Sequence, residues 1–561
     1  MTTRHMMALG ALAAGLAGAG AAHADSDGQW ASAGHDLRNS RYQADEEKIS
    51  AKTVGGLQKK WELTTSGDVT ASPAVDGNFL YFPDSAGFLY KVNKKTGALV
   101  WKKPVSDYTG IAGDTSRATP AVSGSLLIYG NQAGKLMQFG QPNIKPGRVF
   151  ALNKNTGAPV WSTIVDDTAY AIVTQSPVVA KGTVYIGVAS NEELWAGFIP
   201  KAYWQWAFRG SVVALDLATG AKKWQTFTVP EGYFGGSVWG STGAVDLKRN
   251  RVYMATGDNF WAPAAAQACA AAAYANHTNP LACMPADNYF DAVIALDLDT
   301  GKIKWGKQGL PYDVWNVGCG LNIPGVFTVP PNDNCPNPKG PDFDYAQGPM
   351  LLGAAGDDGD DKRDDKDDDK HGAALVGAGQ KSGRYWAFDA DSGAVRWSTQ
   401  AGPPGLTGGL QWGSAFDGQR IYVAVANSGL AGAGQNPFPW ALKGGGSTTA
   451  GGWSALNPKT GAVLWTTADP LGSRAEGAVG AANGVVFGCN LDAHLGTMYA
   501  LDAKTGKTLW SFNAGPPTFD PSTKFYSAAC LAAPSISDGM VFWGTGANQG
   551  FGPKKVFGFG L

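Results

Sequence analysis

One short phrase recurs seven times along the chain. It runs small or aromatic residue, apolar residue, Asp or Asn, two variable residues, Thr or Ser, Gly, three variable residues, Trp. The copies are Tyr90–Trp101, which has one extra residue before its Asn93, and Ala151–Trp161, Ala214–Trp224, Ala295–Trp305, Ala387–Trp397, Ala455–Trp465 and Ala500–Trp510. Asp or Asn ahead of Thr-Gly is turn chemistry: the side chain folds back on its own backbone and Gly supplies positive φ. Apolar alternation on either side makes each copy a β-hairpin, and a repeat of this period means a propeller, solenoid or array. The closing Trp is a large ring suited to wedging between neighbouring sheets.

Most hairpins are preceded by two further strands, such as Ala71–Val75 with Phe79–Phe82 and Ser176–Val179 with Thr183–Val188. Four strands are one propeller blade. The C-terminal unit has only Ala533–Ile536, Met540–Gly544 and Lys555–Phe559; its fourth strand is expected from Leu57–Trp61. Closing the ring this way removes a bare sheet edge. Seven full units and one split unit predict an all-β, eight-bladed propeller over residues 25–561.

Abundant Gly (77) and Trp (20) suit tight turns and ring-packed blades. A net charge of −1 offers no field for nucleic acid or an anionic membrane. Residues 1–24 read as a secretory signal: Arg4, an apolar run from Met6 to Ala22, and Ala22-His23-Ala24 as the cleavage site. No later stretch would span a bilayer, so a periplasmic or secreted location is expected. Export permits disulfides. Chain order suggests Cys269–Cys283, Cys319–Cys335 and Cys489–Cys530 among the fifteen possible pairings. No Cys-x-x-Cys-His occurs, so the chain carries no c-type haem. Four insertions interrupt the blades: aromatic 194–209, Ala-rich and partly helical 261–288, Asp/Lys-rich 357–370 read as solvated loop, and Gly-rich 431–452.

The blade motif also occurs in non-catalytic propellers, and fold alone does not give function. The decision rests on polar residues at the blade starts, which face the central funnel. There the chain resembles the pyrroloquinoline quinone (PQQ) dependent alcohol dehydrogenases over nearly its whole mature length. Trp30, Gly34-His35-Asp36 and Asn39-Ser40-Arg41-Tyr42 look like their N-terminal signature. Gly379-Gln380-Lys381-Ser382-Gly383 and Gln411-Trp412-Gly413-Ser414 look closest to the polyvinyl alcohol dehydrogenase branch.

The resemblance implies roles residue by residue. Trp239, in Gly235-Gly236-Ser237-Val238-Trp239-Gly240, matches the floor beneath the quinone. Glu193 matches the calcium-binding Glu, and Asp258 or Asn259, after Thr256-Gly257, the second protein ligand; either oxygen suits a hard cation. Lys381 matches the cation that hydrogen-bonds the quinone carbonyls. Arg117, Thr174 and Ser190 match contacts to the cofactor carboxylates, and Asn427 a contact to the quinone edge. Two departures stand out. No Cys-Cys pair is present to cover the cofactor, a role that falls to the turn around Asp114–Arg117. The family's catalytic Asp after a Trp is here Asn316, after Trp315, and an amide cannot take a proton; Asp313 is the nearest carboxylate and the expected base. The lanthanide-using branch carries a further Asp two residues beyond its catalytic one. Trp315 and Gly318 stand at those places, so calcium is the expected metal. The implied activity is oxidation of an alcohol, bulky and secondary or polymeric, with a separate soluble cytochrome c as acceptor. A cofactor-free propeller scaffold for envelope protein assembly is the alternative. A hydrolase or lyase finds no Ser-His-Asp order or His-rich metal motif here.

Overall fold

A computed structural model describes residues 29–133, 145–323, 327–353, 374–429, 437–492, 495–515, 530–546 and 553–561. Residues 1–24, read above as a secretory signal, and the Asp/Lys run 357–370 lie outside them. Eight four-stranded antiparallel blades follow in chain order. The eighth joins Ser535–Ser537, Met540–Gly544 and Lys555–Gly560 to the N-terminal strand Gln58–Thr64, which pairs Leu63 with Val556 and Trp61 with Gly558. The expected closure therefore holds, and the closing strand runs three residues further than Trp61. In each blade the first strand is buried, as in Ala74–Asp76, while the fourth, as in Leu99–Pro104, carries the exposure. The first strands therefore face the ring axis.

The repeated phrase works as expected. Asp216 Oδ1 accepts the N–H groups of Ala218 and Thr219 at 3.2 and 3.0 Å, and Gly220 takes φ 72°. Each blade's Trp then donates its indole N–H to a backbone carbonyl of the next blade's hairpin. Trp101 bonds Lys154 O at 3.3 Å, Trp224 bonds Leu298 O at 3.0 Å and Trp465 bonds Ala503 O at 3.0 Å. The chain of contacts closes through Trp510 to Leu57 O at 3.0 Å and Trp61 to Lys94 O at 2.9 Å. The turn glycines lie under these rings: a Cβ on Gly301 would sit 2.5 Å from Trp224.

Residues 30–43 form a belt across the inner strands. Trp30 and Val75 exchange backbone hydrogen bonds, and the carbonyls of Ala31, Leu37, Arg38, Ser40 and Arg41 accept from Val122, Val245, Leu351, Phe416 and Ala481. Gln43 reaches Ile536 O at 3.3 Å. This one segment thus ties seven of the eight blades at the axis. All three expected disulfides are present. The Ala-rich insertion forms helix Ala264–Ala275, stapled by Cys269–Cys283. Among the described residues no helix is long and apolar enough to cross a membrane.

Candidate functional site

The segments that lead into the innermost strands carry the site. Between the third and fourth blades, Gly235 and Gly236 take φ 98° and 64° and turn the chain so that Trp239 reaches inward. Trp239 donates its indole N–H to Asp344 Oδ2 at 3.1 Å. Gly257 makes the approach possible, since a Cβ there would meet Asp344 Oδ1 at 2.6 Å and Trp239 Nε1 at 3.2 Å. Asp344 Oδ1 also accepts the backbone N–H of Asp258 at 2.7 Å. Lys381 completes the group: its Nζ lies 2.7 Å from Asp342 Oδ1, 2.8 Å from Asp344 Oδ2 and 5.3 Å from the centre of the Trp239 ring. Burial opposes the charge on Lys381, but Asp342, Asp344 and Glu193 hold its proton on and leave its pKa well above the usual value.

Glu193, Asp258 and Asp342 converge, each with one carboxylate oxygen within 4.8 Å of the others. They come from different blades and from positions far apart in the chain. Glu192, the neighbour of Glu193, is spent elsewhere: it accepts the N–H groups of Ala207 and Phe208 at 3.0 and 3.1 Å and so anchors the aromatic insertion. Asp258 and Asn259 differ in their partners. Asn259 exchanges side-chain hydrogen bonds with Asn288, at 2.8 and 3.3 Å. Asp258 Oδ2 is buried with no hydrogen-bond partner. Burial pushes Glu193 up to about 8, with Lys381 opposing and Asp344 and Asp313 reinforcing. Asp258 and Asp342 are pushed well above the carboxylate range, first by burial. Buried carboxylates packed together like this are costly unless a cation offsets them.

Asp313, expected as the base, is fully buried under the loop that carries Asp342. Its oxygens accept the backbone N–H groups of Asp342 at 3.1 Å and Phe343 at 2.7 Å. Gly340 closes over it, where any Cβ would collide with its carboxylate. Burial sets its pKa at about 7 against those N–H bonds. Asp313 is thus engaged with the loop that carries Asp342. Asn316 is no substitute: its amide donates to Phe260 O and Asn334 O, both at 3.0 Å, and its oxygen accepts from Gly318 N at 2.8 Å. Asp342 and Asp344 escaped the sequence reading. Asp344 stands in the segment leading into the first strand of the fifth blade, Met350–Leu352, the same placement that singled out Arg117 and Trp239.

Arg117 lies with its guanidinium 4.5 Å from the centre of the Trp412 ring. Trp412, at φ 63°, meets Trp239 edge-on with ring centres 5.5 Å apart. Glu476 sits beside Arg474, Trp412, Lys381 and Arg117, and burial lifts it to about 7. Thr174 bonds Gln132 at 3.4 Å. Ser190 Oγ is used within its own turn, donating to Tyr170 O at 3.2 Å and accepting from Glu192 N at 3.0 Å. Asn427 is engaged locally: its amide donates to Phe438 O and Thr449 O, and its oxygen accepts from Phe438 N.

Beside the acidic cluster the aromatic insertion packs partly inward and partly outward. Phe208 and Trp204 are buried, Trp206 stacks on Trp261, and Phe198 and Tyr203 are exposed, at 45% and 83%. Asn334 holds the insertion from across, donating to Ala196 O at 2.9 Å and Ile199 O at 2.8 Å.

Residues 30–333 match the family profile described as glucose/ethanol/alcohol dehydrogenase, β-propeller domain. Residues 381–529 and 449–551 match the profile of outer membrane protein assembly factor BamB. The chain is similar to polyvinylalcohol dehydrogenases of a Pseudomonas species and of Sphingopyxis sp. strain 113P3. Each is 27% identical and aligned over 92% of this chain and 72% of the relative. In fold it is similar to the quinohemoprotein alcohol dehydrogenase ADHIIG of Pseudomonas putida HK5, with a TM-score of 0.66 and 17% identity over 95% of this chain and 80% of the other.

Proposed function

This chain belongs to the PQQ-dependent alcohol dehydrogenase β-propeller family, and from that premise we propose that it oxidises a bulky secondary or polymeric alcohol, with PQQ and a hard cation held at the ring axis. The observation that carries the reading is the convergence of Glu193, Asp258 and Asp342 beside Lys381 and Trp239. An acidic oxygen set suits a hard cation, and the partnerless Asp258 Oδ2 is what such an ion would satisfy. Calcium is the metal proposed. Trp239 offers a flat aromatic face, and Arg117 a half-buried cation for a ligand carboxylate, with Thr174 and Ser190 at the adjoining blade.

When bound, PQQ supplies the two-electron redox chemistry and the cation supplies Lewis acidity. The protein's own groups do the rest. Lys381, fixed between Asp342 and Asp344, presents an ammonium to oxygen on which negative charge develops. Asp344 sets the orientation of Lys381 and Trp239 together. The hydroxyl proton of the alcohol needs a carboxylate that the cation leaves free, and Asp344, in contact with Lys381 and Trp239, is the one beside the cluster. Asp313 positions the Asp342 loop. The exposed rings of the aromatic insertion give an apolar approach for a substrate with broad carbon surface. Electrons leave to a separate soluble cytochrome c, and the compartment is the periplasm or the exterior.

The scaffold alternative has the BamB match of residues 381–551 in its favour. It gives no partner to Asp258 Oδ2 and no reason for Lys381 to be buried among carboxylates. The test is reconstitution. Protein stripped of metal and cofactor is given PQQ and calcium, and dye reduction is followed with polyvinyl alcohol, 2-butanol, ethanol and methanol. Activity that needs both additions and favours the first two substrates is expected. Protein that binds PQQ yet reduces no dye with any alcohol would overturn the reading.

A further inference from the structure

The acidic cluster has one more carboxylate than the resemblance led us to expect, and it stands on a loop that the sequence motif does not mark. Three observations bear on its use. The oxygens of Glu193, Asp258 and Asp342 lie within 4.8 Å of one another. Calcium–oxygen distances are about 2.3–2.6 Å, and three oxygens at that outer limit of separation would stand about 2.8 Å from a central ion; a small inward shift brings all three to one cation. Second, Asp258 Oδ2 is buried and unpartnered. Third, the amides that would otherwise serve are consumed: Asn259 by Asn288, Asn316 by Phe260 O, Asn334 O and Gly318 N.

Asp342 is held in place from two sides. Asp313 pins its backbone N–H and that of Phe343. Lys381 takes one of its oxygens at 2.7 Å, leaving the other for a ligand. Charge makes the same point. Glu193, Asp258, Asp342 and Asp344 are set against Lys381, the cation in contact with two of them. A divalent or trivalent ion brings that group near neutrality, which burial demands.

We propose that Asp342 is the third carboxylate ligand of the cation held by Glu193 and Asp258, supplied from the loop that Asp313 clamps. The inference rests on the dehydrogenase reading above and deepens it. It makes the metal centre of this chain a three-carboxylate site, with the third carboxylate drawn from the start of the fifth blade.

The experiment reads metal binding, not turnover. Full-length metal-free protein is titrated calorimetrically with calcium, with and without PQQ. Terbium, a second hard cation, is followed by its luminescence on excitation of tryptophan. Asp342→Asn is expected to weaken both ions at least tenfold, Asp342→Glu to restore most of the loss, and Asn316→Asp to stay within about threefold of wild type. Should Asp342→Asn fail to fold, Asp342→Ser carries the same comparison. Wild-type affinity in the folded Asn or Ser variant, or a large gain in Asn316→Asp, overturns the proposal and leaves the dehydrogenase reading standing. A wild-type protein that binds neither ion, even with PQQ present, overturns both.

Discussion

Asp313 accepts the backbone N–H of Phe343 at 2.7 Å. A carboxylate thirty residues back in the chain thereby fixes the loop on which Asp342 meets Lys381. The buried acid two residues before Trp315 thus contacts the segment that carries Asp342 and Asp344.

Asp313→Asn keeps the shape but leaves one oxygen to serve two N–H donors. A shift of about 1 Å at a reacting geometry costs roughly 10²-fold. The variant is expected to lose about that much in kcat and to bind calcium more weakly as well, while still taking up PQQ. Stopped-flow rates and calorimetry on the same preparation check it. Unchanged metal affinity with lost turnover would return Asp313 to the role of base.

Glu192 and Glu193 should behave as opposites. Glu193→Gln is expected to bind calcium at least tenfold more weakly with its melting curve little changed. Glu192→Gln leaves one carbonyl oxygen to serve the N–H groups of Ala207 and Phe208, which costs about 1–3 kcal/mol; its melting temperature should fall while metal affinity holds. The reverse pattern would mean that the neighbours have been exchanged.

Glu476 is 7% exposed and lifted by burial from 4.5 to about 7. The folded protein therefore binds a proton there that the unfolded chain has released. Stability from this group is present below about pH 4.5 and is lost as pH rises through 7, a loss of about 3 kcal/mol at full ionisation. Glu476→Gln should flatten the fall in melting temperature of the cofactor-free protein between pH 5 and pH 8. Parallel curves for variant and wild type would show that Glu476 is ionised throughout.

The blade turns offer a test of the ring. Gly301 has φ 70° and lies under Trp224, whereas Gly77 has φ 56° with nothing within 4 Å of its Cβ position. Alanine at Gly77 pays only the left-handed backbone strain of about 1–2 kcal/mol. At Gly301 overpacking against the ring adds about 1–3 kcal/mol more. Denaturant midpoints of the two variants should separate accordingly, and equal costs would argue against the wedged indole.

Phe198 and Tyr203 are the exposed rings of the aromatic insertion. Changing both to Ser is expected to lower kcat/KM for polyvinyl alcohol several-fold more than for 2-butanol, because a polymer segment covers more apolar surface. The same ratio before and after would confine these rings to the propeller rim.

The fold was legible because its signals are local and repeated. Asn or Asp before Thr-Gly fixes each hairpin turn, and a Trp at constant spacing docks on the next one, so seven copies and a remainder count the blades. The disulfides followed chain order because each closes an insertion or a neighbouring loop. At the site, Glu193, Asp258, Lys381 and Trp239 were readable from short motifs and come together. Asp342 and Asp344 were not, since their meaning depends on a loop folding back across Asp313 from beyond an insertion. Nothing in the sequence around Asp313 shows that its oxygens are already claimed by backbone N–H groups. The motif also marked Asn427 and Asn259, whose amides bond to neighbouring segments, which no sequence pattern around them shows.

The most direct measurement of the central claim is a single turnover without any external acceptor. PQQ- and calcium-loaded protein is mixed anaerobically with a secondary alcohol, and the cofactor's absorbance and the ketone are followed together. One equivalent of ketone per chain is expected, formed in step with a two-electron change in the cofactor's spectrum and abolished in Lys381→Met. A cofactor that stays bound and spectrally unchanged, with no ketone formed from any alcohol offered, would contradict the account.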